Sequence, residues 1–259
     1  MTSQIPCSAA EHYENLLADH YEWMFGLPFE AKVAEQKAIL KEFAGPPVIG
    51  GLAVDLGCGS GFQSIALSDL GYKVLAIDTS RKLLSRLCAR IGSRDIATKH
   101  ADLREFQSLV SPTSVDIVVC MGDTLTHLPG RSDVSRLFHS VAHALKPGRT
   151  FLITYRDLAS VELFGLDRFI PVSNDDRRLM TCFLEYESAE TVVVHDLINL
   201  RDDDGNWKLH KSSYRKLRLP AAWVVAELLA SGLSISERSE ARMVTIAATT
   251  PRASRVVSL

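Results

Sequence analysis

Cysteine is scarce in this chain of 259 residues. Cys7, Cys58, Cys88, Cys120 and Cys182 are odd in number, widely spread and nowhere in a Cys-x-x-Cys pair. That excludes a disulfide framework and a cysteine-type metal site. Neither sign of charge dominates, since 29 Lys and Arg stand against 31 Asp and Glu for a net charge of −2. Such a chain lacks the basic field that holds phosphate backbones, so no nucleic acid partner is expected. No apolar run approaches the roughly 20 residues of a membrane span. Met1 to Ala10 has neither the basic n-region nor the apolar h-region of a secretory signal. The expectation is a cytoplasmic protein with no membrane partner. Repeats and low-complexity tracts are also missing. What is present is 46% apolar and 23% charged, a globular composition. It suits one large or two small domains that bind a small molecule.

Short apolar runs mark the plan. Ala53 to Leu56, Val74 to Ile77, Val115 to Cys120 and Thr150 to Tyr155 read as buried strands. Between them Gln63 to Leu70, Lys82 to Ile91 and Val134 to Leu145 read as helices, the last stopped by Lys146-Pro147-Gly148. Alternating strands and helices predict an α/β fold, a mostly parallel sheet with helices on both faces. Ahead of it, Ala9 to Phe25 and Phe29 to Phe43 predict two helices, residues 1–48, capping the ligand edge of the sheet. The core then runs over 49–157. After Arg156 the texture changes. Arg168 to Val172, Leu179 to Tyr186, Thr191 to Leu200 and Trp207 to Leu219 predict an inserted antiparallel β-sheet within 158–220. The run Asp202 to Asn206 is its hairpin turn and not a metal loop, which would need ligands at alternating positions. Over 221–259, a helix from Ala221 to Ala230 and two strands complete the core.

The most informative segment is Val54-Asp55-Leu56-Gly57-Cys58-Gly59-Ser60-Gly61-Phe62. Glycines after a strand let the backbone turn tightly and approach a ligand. Asp78, at the end of the next strand, has the spacing of a carboxylate that grips ribose hydroxyls. The plain alternative is a ligand-free turn. A dinucleotide fingerprint needs glycine at 62, where Phe62 stands. Asp55 repels pyrophosphate and suits a ligand with a cationic amine. A nucleotide-dependent oxidoreductase is therefore disfavoured.

Asp55-Leu56-Gly57-Cys58-Gly59-Ser60-Gly61 resembles the first motif of class I S-adenosylmethionine-dependent methyltransferases, and the likeness runs from about Leu52 to Asp157. It implies a Rossmann-like seven-stranded sheet and S-adenosyl-L-methionine as cofactor. It also implies that Asp78, with Thr79, binds the ribose, that Ala101-Asp102-Leu103 lies along the adenine, and that Met121 sits beside the methionine moiety. Gly57, Cys58, Gly59 and Gly61 would line the cofactor. Within the family, Cys120 to Pro129 is similar to the Gly-Asn-Ser-Phe-x-His-Leu-Pro stretch of glycine N-methyltransferases. Ile153-Thr154-Tyr155-Arg156-Asp157 is similar to their segment after the fifth strand. By that likeness Arg156 pairs with an anionic group of the substrate, Lys32 reaches the cofactor carboxylate, and Tyr13 lines the site. Asp123 replaces their Asn, which argues against glycine itself as substrate.

Methyl transfer is an in-line displacement at a sulfonium, so the protein supplies alignment and shielding. His127 is a candidate base, with a purely hydrogen-bonding role as its alternative. Asp123 is a candidate to orient a substrate amine, or else caps a turn. Arg156 clamps a substrate anion or bridges Asp157 or Glu162. Tyr13 and Tyr21 form a lid or belong to the core. Tyr214 is a candidate substrate contact, although period-two alternation leaves either face open to it. The reading is an S-adenosylmethionine-dependent methyltransferase acting on the nitrogen of a small amine or amino-acid-like molecule. Its alternatives are O- or S-methylation of a natural-product intermediate and a non-catalytic cofactor-binding regulator. The inserted sheet is an expected homo-oligomer contact.

Overall fold

The computed structural model describes residues 6–240 and 243–252. The outermost residues of the first and last predicted segments, 1–5 and 253–259, lie outside the described residues. The chain begins with α1 (Ala9–Asn15), two short 3-10 turns (Leu17–His20 and Trp23–Phe25) and α2 (Phe29–Phe43). The alternating core follows as β1 (Leu52–Leu56), α3 (Phe62–Asp69), β2 (Lys73–Asp78), α4 (Arg81–Arg90) and β3 (Ile96–His100). It continues through α5 (Phe106–Leu109), β4 (Val115–Cys120), α6 (Arg131–Ala144) and β5 (Leu145–Tyr155). Four strands come next: β6 (Phe169–Asn174), β7 (Arg178–Tyr186), β8 (Thr191–Arg201) and β9 (Trp207–Leu217). The chain then returns with α7 (Ala221–Ala230), β10 (Ser234–Glu240) and β11 (Val244–Thr249).

The main sheet has seven strands in the order β10-β11-β5-β4-β1-β2-β3. The five strands from β1 to β5 pair in parallel, and β11 runs antiparallel between β5 and β10. Strand order reverses between β1 and β4, where open α/β sheets form a crevice outside the carboxyl ends of their strands. Alternation sorts the two faces. Val54, Leu56, Val118 and Phe151 pack with Phe138 and Val141 of α6 and Val224 of α7. Ala53, Val74, Ile117 and Leu152 pack with Ile65 and Ala66 of α3, Leu87 of α4 and Leu40 of α2. The second sheet is a purely antiparallel β6-β7-β8-β9 meander. No helix among the described residues is long and apolar enough to cross a membrane.

Three local expectations change. Ala9 to Phe25 is not one helix, because its apolar residues serve two surfaces. α1 packs on β9 through His12, stacked 4.1 Å from Tyr214, whereas Tyr21 and Phe25 turn to Phe62 of the core. A straight helix cannot present one stripe to both. Only this first segment caps the ligand edge, since α2 lies beside α3 on a face of the sheet. Finally, Lys146-Pro147-Gly148 falls inside β5. The ladder pairs Val115 with Leu145 and resumes at Ile117 with Thr150, so Pro147 sits in the irregular stretch where a missing N–H is tolerated.

Candidate active site

The carboxyl ends of β1, β2 and β4 open into a cavity of about 440 Å³, within the roughly 300–1,000 Å³ of small-molecule sites. Its floor is the loop after β1 and the ends of β2 and β4. Its side is the N-terminal segment, with Tyr13, Leu17 and Tyr21. Its roof is the inner face of the second sheet, with Met180, Cys182, Val194, Asp196, Tyr214 and Lys216.

The floor is built by backbone hydrogen bonds. Gly57 and Cys58 N–H donate to the Ile77 carbonyl at 2.9 and 3.0 Å, tying the loop to the end of β2. Gly59 N–H donates to Asp78 Oδ2 at 2.8 Å and Ser80 N–H to Asp78 Oδ1 at 2.8 Å. Each oxygen keeps a further lone pair, and the carboxylate lines the cavity. Burial pushes its pKa up, against the pull of these backbone donors. Gly57 has φ +73°, and a Cβ there would stand 2.2 Å from Thr124 Cγ2. A Cβ on Gly59 would stand 2.8 Å from the Tyr21 hydroxyl. The missing side chains therefore let Thr124 and Tyr21 close directly onto the loop.

The far end is aromatic and charged. Tyr13, His127 and Tyr214 gather with ring centroids 5.4, 5.5 and 6.4 Å apart. Asp123 Oδ2 accepts from Lys216 Nζ at 2.8 Å, its Oδ1 accepts from Arg156 N–H at 2.8 Å, and Arg156 Nε lies 3.7 Å away. Burial alone would raise this carboxyl, but the Lys216 and Arg156 charges outweigh it and hold it at about 2. Burial and the Lys216 charge depress His127 to about 3, so its ring is neutral at physiological pH. Among the described residues its buried Nε2 has no hydrogen-bond partner. Behind the roof, buried His12 bonds Asp196 Oδ2 through Nε2 at 2.8 Å.

Residues 53–148 match the family described as methyltransferase domain. Over those residues the chain carries a methyltransferase domain. The cypemycin N-terminal methyltransferase of Streptomyces sp. is 31% identical over 121 residues, 47% of this chain and 48% of that protein. The putative methyltransferase YqeM of Bacillus subtilis is 30% identical over 149 residues, 57% of this chain and 59% of that protein. The chain thus spans about half the length of these curated relatives. Among solved structures, the CcbJ methyltransferase of Streptomyces caelestis superposes with a TM-score of 0.75 at 18% identity, over 93% of this chain and 99% of that one. The sugar N-methyltransferase KedS8 of Streptoalloteichus sp. gives 0.72 at 15%, over 97% and 98%. These two likenesses carry the fold of the whole chain, inserted sheet included.

The methyltransferase domain's cofactor is S-adenosylmethionine, and the cavity fits it: the Asp78 carboxylate and the Gly57 and Gly59 backbone line its floor, and among the described residues a buried imidazole nitrogen of His127 at the far end has no partner. Gly57, Gly59, Asp78, Thr79, Ala101, Asp102, Leu103 and Met121 all line the cavity, as do Tyr13, Tyr21, Asp123, His127, Arg156 and Tyr214. Asp102 also takes Arg104 on both oxygens, at 3.0 and 2.7 Å.

Four expected residues do not line it. Lys32 of α2 pairs with Glu35 at 2.6 Å and lies over the Phe25 ring, because α2 packs on the sheet face. Asp55 shares the α3 side of β1 with Ala53 and accepts from Ser64 Oγ at 2.6 Å. Burial raises it to about 7, and it braces the glycine loop from behind. Cys58 is buried with its thiol near the Gly59 carbonyl. Gly61 has φ +99°, and a Cβ there would stand 2.3 Å from Leu87 Cδ1, so this glycine lets α3 and α4 close together. Gly61→Ala is expected to destabilise the fold by about 1–3 kcal/mol, read by urea unfolding. An unchanged midpoint would refute that role.

Sequence reasoning missed Lys216, Asp196, His12 and Arg104. A signal for Asp196 existed: in Val192-x-Val194-x-Asp196-x-Ile198 a carboxylate interrupts an apolar alternation.

Proposed function

We propose that the whole chain is an S-adenosylmethionine-dependent methyltransferase that moves a methyl group to the nitrogen of a small amine or amino-acid-like acceptor. The observation that carries this reading is one continuous cavity. It joins the glycine and Asp78 floor to an aromatic and charged chamber under the second sheet. The names of the relatives add support, since N-methyltransferases of a peptide terminus and of a sugar are among them. When bound, the cofactor supplies an electrophilic methyl group on a sulfonium.

The residues do the rest. Asp78 receives the ribose hydroxyls, and Ala101, Asp102 and Leu103 flank the adenine. Met121 packs by the methionine moiety, and Tyr13 and Tyr21 exclude water from above. Arg156, exposed and shared with Asp123 only at 3.7 Å, is free to pair with an acidic group on the acceptor. His127, at about 3, does not retain a proton at neutral pH. It therefore acts as a hydrogen-bonding group and not as a base. An amine that sheds its proton before attack needs no base, whereas a hydroxyl acceptor gains from one.

The test is a screen of small amines, amino acids, phenols and thiols with S-adenosylmethionine, read by S-adenosylhomocysteine release and product mass. Turnover on amines is the expected result. Turnover on phenols or thiols alone would replace nitrogen with oxygen or sulfur. Cofactor binding without turnover on any of them would turn the reading into a binding protein.

A further inference from the structure

Asp196 stands apart from Asp102 and Asp123 of the same cavity. It is 3% exposed, yet it lines the chamber under the second sheet. Asp102 has Arg104, and Asp123 has Lys216 and Arg156. Among the described residues the only basic group within ion-pair distance of Asp196 is His12, on Oδ2 at 2.8 Å, and no described residue donates to Oδ1.

The geometry also indicates which form of His12 makes that contact. Among the described residues the buried Nδ1 of His12 has no partner. A protonated ring would bury a charged N–H with no acceptor, whereas a neutral ring protonated at Nε2 leaves only an unused lone pair, the smaller loss. His12 then donates to Asp196 without cancelling its charge. The ring is locked by stacking on Tyr214 at 4.1 Å, and Tyr214 lines the cavity. The result is a buried carboxylate, fixed through one oxygen, with the other left over and, among the described residues, no cation within ion-pair distance beyond His12. A buried charge of this kind calls for a partner, and the cavity is where one can arrive.

We propose that Asp196, held by His12, is the group that receives the amine of the acceptor and orients it in the chamber. The partner it fits is a small molecule carrying a primary or secondary amine, taken up as the ammonium or through an N–H. This rests on the methyltransferase reading and names its acceptor-binding residue. It also gives the second sheet a role in choosing the acceptor, since β8 carries Asp196.

The test uses the protein loaded with S-adenosylhomocysteine and three probes that share one ring: cyclohexylamine, cyclohexanol and cyclohexanecarboxylate. Dissociation constants come from calorimetry or ligand-observed NMR. Cyclohexylamine is expected to bind at least about tenfold more tightly than the alcohol, as a charge-assisted hydrogen bond requires. Asp196→Asn, which still accepts from His12, is expected to erase that preference with the melting temperature and S-adenosylhomocysteine affinity unchanged. His12→Phe keeps the stack on Tyr214 and removes the bond, and is expected to lower the preference several-fold. It serves if Asp196→Asn does not fold. No amine preference in the native protein, or one that survives both substitutions, overturns the assignment. Failure of S-adenosylhomocysteine itself to bind would instead refute the methyltransferase reading, and this assignment with it.

Discussion

Asp78→Ala is expected to weaken S-adenosylmethionine binding about a hundredfold. The carboxylate accepts from Gly59 on one oxygen and from Ser80 on the other, and it lines the cavity where a ribose diol would sit. Two hydrogen bonds to a charged acceptor are together worth about 3 kcal/mol or more, or about two powers of ten. Alanine also strands the Gly59 and Ser80 amides, so the loop after β1 loosens and adds to the loss. Asp78→Asn separates the two effects. It preserves an acceptor for the loop but halves the capacity for hydroxyls, and is expected to fall between alanine and the native protein. Calorimetry with S-adenosylhomocysteine decides it, and native affinity in Asp78→Ala would remove the ribose assignment.

Lys216→Met is expected to have the largest effect on stability, about 3–5 kcal/mol. The Lys216 ammonium and the Asp123 carboxylate are nearly shut off from water, and they join β9 to the loop after β4. Removing the lysine leaves the carboxylate buried with only the more distant Arg156 guanidinium. Asp123 is held near 2 in the folded protein, below its unfolded range of about 3.9. A depressed carboxyl stabilises the fold above the unfolded value and loses that contribution as pH falls through the folded one. The native protein should therefore lose on the order of 2–3 kcal/mol between about pH 5 and pH 2 from this group. In Lys216→Met that acid-dependent loss shrinks. Urea unfolding at pH 7 and pH 3 checks both parts. Lys216→Met combined with Asp123→Asn should recover much of the stability, because no unpaired charge remains. A single variant as stable as the native protein at pH 7 would refute this account.

What the sequence made legible follows from the range of each signal. The β1–α3–β2 unit with Asp78 is local, and its glycines, strand and carboxylate lie within 30 residues. The strands of the inserted sheet were equally readable, since each carries its own alternation and turn. The misassignments share one cause. Lys32, Asp55, Cys58 and Gly61 were given roles by position in a motif, but which way a side chain points depends on the face its element presents. Asp55 alternates with Val54 and so turns to α3, away from the ligand. Lys216, Asp196 and His12 were hidden for a different reason. His12 and Asp196 are 184 residues apart, and Lys216 is 93 from Asp123. Only the register of β7, β8 and β9 over the cavity brings them together.

The break in the N-terminal segment gives it two unequal attachments. Toward the main sheet it is tied by Glu14 to Ser80 at 2.7 Å, Asp19 to Lys82 at 2.8 Å and Glu22 to Arg90 at 2.9 Å, and by Tyr21 and Phe25 packed on Phe62. Of these only the Asp19 to Lys82 pair is an exposed ion pair, worth about 0–1 kcal/mol. Toward the second sheet it is tied by the buried His12 to Asp196 bond and the stack on Tyr214. The side wall of the cavity is thus one short stretch of chain that bridges both sheets, and a change in how they sit on one another would be felt first at Tyr13 and Tyr21.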